Sequence, residues 1–239
     1  MTPIKKHLTL FLAALSLIMT AGCAGMFKPP PPLWNAAAYN TVAVLPVRMT
    51  VLTGRELFKS EDTERSDRMG GMMQEALSVV MRHRGYEVLA PGDLSEKLME
   101  EDDLSEAFAI LAAAHGYMGD EGRAPWEEAI ESAALIGDKL GADLLVLAHG
   151  NGEYHSFEEN LFQGVVTGLL SKGREQYQTP PSYLDLDVFF VDPVAGVRIA
   201  RLLPRQMSYE DKAIPLAKML DRHLRRVPVK QQPGEMLGP

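Results

Sequence analysis

The sequence predicts an α/β body in which a mixed β-sheet of about five strands carries helices packed on it. Three observations predict it. "TVAVLPV", Thr41 to Val47, is an almost wholly apolar, valine-rich run of the kind found in strands covered on both faces. A helical pattern separates that run from a second one, "YEVLAP", which is the order of a right-handed crossover between parallel strands. Two later runs, "SYLDLDVFFVD" and "GVRIARLL", are joined through "DPVAG", whose proline and glycine favour a tight turn between antiparallel strands.

The folded domain is expected over 40–226. After Val47 a polar, Gly-containing loop is expected through Asp67, followed by a helix with Met69, Met72, Met73, Ala76, Leu77 and Val80 on one stripe and Gly85 as its stop. Asp93 to Tyr117 reads as acidic and helical, with "AFAILAAA" as its buried part. Beyond the turn "MGDEGRAP", apolar residues at Trp126, Ile130, Ala133, Ile136 and Leu140 mark another helix that Gly141 ends. "ADLLVLAHG" is a third strand. A final helix is expected to start near Pro215, where proline is tolerated in the first turn, and to bury Leu216, Leu220 and Leu224. The tail 227–239 is expected to be disordered.

The first 22 residues have the form of an export signal. Lys5 and Lys6 precede the apolar run Leu8 to Met19, and the small residues Ala21 and Gly22 precede Cys23, the only cysteine in the chain. The apolar run is too short for a stable bilayer span. "TAGC" resembles the lipobox of bacterial lipoprotein signals, with Thr20 where leucine is commonest. That resemblance implies cleavage before Cys23, a diacylglycerol thioether on its sulfur and acylation of its freed amine, a palmitate-type anchor whose several chains hold where one would not. A plain secretory segment followed by a chance cysteine is the alternative. Ala24, rather than aspartate, after the cysteine resembles lipoproteins sorted to the outer membrane. Residues 23–39 then form a lipidated tether, stiffened by Pro29 to Pro32, with the body facing the periplasm.

Composition narrows the function. The formal charge is −8, and removal of residues 1–22 deletes Lys5 and Lys6 and moves it to about −10. An acidic body argues against nucleic acid as a partner, because phosphate-backbone binding needs clustered Lys and Arg. Charge is uneven: "EKLMEEDDLSE" is strongly acidic, whereas Lys218, Arg222, Arg225, Arg226 and Lys230 make the C-terminal end basic.

"VAVLP", "RGYEVLAP", "IGDKLGADLLVLAHG" and "LDLDVFFVDPVAGVRIA" together resemble the periplasmic lipoprotein domain shared by the curli secretion-channel lipoprotein, the outer-membrane activator of a peptidoglycan synthase and the amino-terminal domain of TolB. The resemblance covers Thr41 to Leu224. It implies an anticodon-binding-domain-like α/β sandwich that binds other envelope proteins and has no catalytic residues to carry over. Gly141, Asp192, Pro193 and Gly196, which carry much of it, have structural roles at a helix end and a hairpin turn.

The segment 157–181 departs most from a minimal version of such a fold. Phe157, Leu161, Val165 and Leu169 recur near helical spacing with Phe162, Val166 and Leu170 beside them. An amphipathic loop-helix over its own sheet and an exposed apolar surface for a partner or a homo-oligomer both fit this pattern. A membrane-inserting hairpin does not, because "LFQGVVTGLL" lacks the apolar–polar alternation of a barrel strand.

A search for chemistry finds no zinc spacing among the histidines, no GxSxG and no phosphate-cradling loop. His149, Asn151, Glu153 and His155 share a face if the third strand runs that far, as do Asp185 and Asp187 on the next. Glu153, His155, Asp185 and Asp187 are therefore the weak metal candidates, and a polar outer sheet face explains them equally well. No cofactor is expected. The reading is a non-enzymatic lipoprotein of the outer membrane that binds or scaffolds envelope proteins. The alternative is a small envelope hydrolase or metal-binding lipoprotein with a pocket where Glu153, His155 and Asp185 or Asp187 converge.

Overall fold

The computed structural model describes residues 31–54, 59–116, 126–155 and 182–230. Cys23 and the apolar set Phe157, Leu161, Phe162, Val165, Val166 and Leu169 lie outside them. Among the described residues the strands are β1 (Thr41–Val44), β2 (Arg48–Thr53), β3 (Ser60–Glu61), β4 (Glu87–Val88), β5 (Leu144–Tyr154), β6 (Tyr183–Asp192), β7 (Val197–Leu202) and β8 (Met207–Ser208). The helices are α1 (Thr63–His83), α2 (Pro91–Glu100), α3 (Asp102–Ala114), α4 (Trp126–Leu140) and α5 (Ala213–His223). The strands form one mixed sheet with helices on both faces, the α/β class expected from the sequence.

β5 is the centre of the sheet. β6 runs antiparallel along one of its edges from Leu145 to Glu153. The other edge is shared: β1 pairs parallel with Leu144 to Val146, and β2 pairs parallel with His149 to Tyr154. Thr41–Val47 is therefore not one strand. Leu45, Pro46 and Val47 form a jog, and the segment expected as a polar loop returns to the sheet as β2. Buried polar groups of α1 bond the backbone of both strands. Gln74 donates from Nε2 to the Val44 carbonyl at 2.9 Å, and the Val51 amide donates to Ser66 Oγ at 2.9 Å. Burying Ser66 and Gln74 is tolerable because each is hydrogen-bonded to a backbone group, Gln74 at the end of β1 and Ser66 within β2.

α1 starts at Thr63, earlier than expected, because Asp62 caps it by accepting the Arg65 amide at 3.0 Å. Met69, Met73, Ala76, Leu77 and Val80 of α1 pack with Leu216 and Leu220 of α5 against Val42, Val146, Val188 and Phe190. The opposite face buries Ala43, Leu145, Leu147 and Phe189 under α2, α3 and α4. β1 and β4 are parallel, as the crossover requires. Gly85 (φ 85°) and Gly141 (φ 65°) end α1 and α4 in the left-handed region.

The body is larger at both ends than the span 40–226. Leu33 donates its amide to the Arg226 carbonyl at 2.9 Å, and Trp34 packs on Phe190 with ring centroids 5.0 Å apart. Trp34 also donates from Nε1 to the Tyr86 hydroxyl at 3.1 Å. Val227 is buried, and the expectation of disorder from 227 onward fails for 227–230. The cause is Arg84, buried at the end of α1. Its Nη1 donates to the Val227 carbonyl, its Nη2 to Asp221 Oδ1 at 2.7 Å, and its own carbonyl accepts the Lys230 amide at 2.8 Å.

Two adjacent glycines in α1 give a direct test of this packing. A Cβ on Gly70 would overlap the Val47 carbonyl oxygen, whereas one on Gly71 meets nothing within 4 Å. Gly70→Ala is expected to destabilise the body by about 1–3 kcal/mol. Gly71→Ala should stabilise it by about 0.5–1 kcal/mol through helix propensity. Urea unfolding of the two variants beside the parent checks both signs.

Candidate functional site

β5 changes character halfway along. "LLVLA" is apolar on both faces, and "HGNGEY" places His149, Asn151 and Glu153 on the face of α2–α4. The β5–β6 register sets His149 opposite Asp187, Asn151 opposite Asp185 and Glu153 opposite Tyr183. Gly150 and Gly152 point to the other face, where a Cβ would collide with the Asp185 and Tyr183 carbonyl oxygens. The glycines permit close strand approach, and the residues between them build a charged sheet surface.

Each carboxylate on that surface is already engaged. Asp187, with a side chain 10% exposed, receives Arg201 Nη2 on Oδ2 and Arg205 Nη2 on Oδ1, the latter at 2.7 Å. His149 Nε2 stands 3.9 Å from Asp187 Oδ2. Asp185 Oδ1 accepts the Gln206 amide at 2.7 Å and so holds Gln206 at φ 51°, a left-handed conformation uncommon for a residue with a Cβ. Glu153 binds Lys59 Nζ at 2.7 Å, accepts the Tyr183 hydroxyl at 3.2 Å and lies 3.5 Å from His155 Nε2. The Lys59 contact holds the Glu153 carboxyl below the usual carboxylate range, with Tyr183 and His155 adding to it against partial burial.

Of the four weak metal candidates, the structure brings Glu153 and His155 together, and Asp185 and Asp187 turn to different partners. Among the described residues no three His, Cys, Asp or Glu side chains gather around a common point. A carboxylate already neutralised by arginine or lysine is a poor metal ligand and a weak base.

Arg198, Arg201, Arg205, Lys59 and His115 were not singled out from the sequence. Arg198 and Arg201 are three apart, so a regular strand would put them on opposite faces. A register shift between Phe190 and Val191 pairs Arg198 with Val191 and Arg201 with Phe189, so both lie on one face. Their guanidinium carbons stand 5.7 and 5.3 Å from the Phe189 ring centroid, within cation–π range. His115, buried at the end of α3, packs edge-on against the same ring at 5.1 Å, while His149 stacks on it at 5.6 Å. Nδ1 of His115 hydrogen-bonds the Leu111 carbonyl at 2.9 Å, and its ring lies 5.5 Å from that of Trp126.

Compared with known proteins, the chain matches no family model and no curated protein. Solved structures give distant likenesses. The lipoprotein GNA1162 from Neisseria meningitidis is 11% identical, with a TM-score of 0.35 over 76% of this chain and 92% of that one. The dodecamer of a PelC point variant from Paraburkholderia phytofirmans is 9% identical, with a TM-score of 0.35 over 85% and 95%. The LpoB C-terminal domain from Salmonella enterica is 8% identical, with a TM-score of 0.29 over 73% and 87%. At these scores no function passes from those proteins to this chain.

Two measurements probe the charged face. Burial lowers the pKa of both His115 and His149. For His115 the Leu111 carbonyl opposes the shift and Arg198 adds to it, while for His149 Asp187 opposes it and Arg201 and Arg205 add to it. The unfolded chain takes up these protons near the ordinary value of 6.5, and the folded chain only at lower pH. Between those limits the unfolded state holds more protons, so this contribution to stability is full above 6.5 and declines as pH falls through it. Denaturant midpoints at about pH 7.5 and about pH 5 should show that loss, and His115→Phe should flatten it. Separately, Asp187→Ala should cost about 1–2 kcal/mol, less than a fully buried pair, because both arginines are half exposed and regain water.

Proposed function

We propose that the chain is a lipoprotein anchored to the outer membrane through Cys23, with a periplasm-facing α/β body that binds or scaffolds other envelope proteins without catalysing a reaction. The observation that carries this reading is the placement of the one cysteine, between an export-type apolar run and a proline spacer that leads into the body. Among the described residues no helix is long and apolar enough to cross a membrane. The charged face of the sheet supports the reading. Glu153 and Asp187 are matched to cations and Asp185 to a backbone amide, which suits a surface that recognises a partner.

Cys23→Ala is the direct test. The parent should fractionate with membranes and incorporate a palmitate analogue, and the variant should be unlabelled and leave the membrane fraction. An unlabelled parent that still sediments with membranes would contradict the reading. Deletion of Phe157 to Tyr177, the apolar segment singled out in the sequence, should leave lipidation intact and remove cross-linked envelope proteins from the purified sample.

A further inference from the structure

Among the described residues β7 ends the sheet on the side away from β5. It pairs with β6 along one edge, and among the described residues no backbone hydrogen bond reaches its other edge. An unpaired edge offers a row of amide and carbonyl groups to an incoming strand. This edge is held rigidly at its start. Asp192 Oδ1 accepts the Val194 and Ala195 amides at 2.9 Å each, and Asp192 Oδ2 accepts the Tyr39 hydroxyl at 2.9 Å. Pro193 and Gly196 sit so tightly on Gly137 and Ile130 of α4 that a Cβ on either glycine would overlap the facing side chain.

The side chains on and beside this edge define what it can take. Val197 and Leu203 are 43% and 47% exposed at its two ends. Arg198 is exposed and has no carboxylate partner among the described residues, and Arg201 and Arg205 share the single carboxylate of Asp187. The result is a cationic stripe on a chain whose formal charge is −8. A second copy of β7 is a poor occupant. Antiparallel pairing centred between Ile199 and Ala200 would set Arg198 across from the copy's Arg201, and parallel in-register pairing would set each arginine beside its own equivalent. Like charges directly opposite one another destabilise a ladder.

We infer that the β7 edge, Val197 to Leu202, binds an extended segment of another protein by strand addition, and that acidic side chains at alternate positions of that segment meet Arg198 and Arg201. This rests on the reading of the body as a protein-binding module and names the chemistry of one partner. Main-chain hydrogen bonds would supply affinity, and the arginine pair would select acidic over basic segments.

The test uses the full lipidated chain in mild detergent and two capped synthetic peptides of about eight residues, one alternating threonine with glutamate and the other threonine with lysine. Amide exchange over 197–202 should slow with the glutamate peptide and not with the lysine peptide. Arg198→Glu, at an exposed site with no ion pair among the described residues, should keep the fold and weaken the glutamate peptide about three- to tenfold. Equal protection by both peptides, or binding of the glutamate peptide without protection of 197–202, would overturn the inference. So would protection that grows with protein concentration in the absence of peptide, which would assign the edge to a second copy. Failure here with membrane anchoring and envelope cross-links intact would remove the strand edge and leave the proposed function standing.

Discussion

The rest of the fold depends on the length of β5. Its 11 residues need partners along both edges, and β1 with its 4 residues satisfies only the start of one. The chain solves this by jogging at Pro46 and laying β2 down in series on the same edge. α1 packs across both strands and brings Gln74 to the Val44 carbonyl of β1 and Ser66 to the Val51 amide of β2. The position of α1, and through it the seat of α5 and of the C-terminal segment held by Arg84, follows from that arrangement.

The same strand divides the molecule by chemistry. Its first half is covered by apolar side chains of helices on both faces. On the face of α2–α4 its second half carries His149, Asn151 and Glu153 instead, and β6 answers with Asp187 and Asp185 in register. Low exposure makes an unpaired carboxylate costly, so Asp187 draws Arg201 and Arg205 across from the loop and strand beyond β6. The arginines thereby become fixed rather than free, and fixed cations on a rigid sheet recognise a partner with less entropy to lose than mobile ones.

Much of this was legible in the sequence and some was not, for identifiable reasons. β5, β6 and β7 announce themselves through apolar runs and the "DPVAG" turn, and Gly85, Gly141 and Gly196 all adopt the positive φ that a helix end or tight turn asks for. β2 was hidden because "RMTVLT" is half exposed and polar, and only the unfilled edge of β5 makes it a strand. Leu33, Trp34 and Val227 were hidden because their burial depends on Phe190, Tyr86 and Arg84, all distant in sequence. The arginine stripe was hidden by the register shift at Phe190, which no period of two can reveal. Glu153, His155, Asp185 and Asp187 were legible as one polar surface, but their separate partners were set by Lys59, Gln206 and the arginines.

A membrane tether and a protein-binding body meet in one chain under the proposed function, and the chemistry at Cys23 links them. Intact mass spectrometry of the full chain purified from membranes tests it most directly. A single species that begins at Cys23 and is heavier by a diacylglyceryl group and an amide-linked acyl chain is the predicted result. A species that retains residues 1–22, or one that begins at or near Cys23 with no added mass, would contradict it.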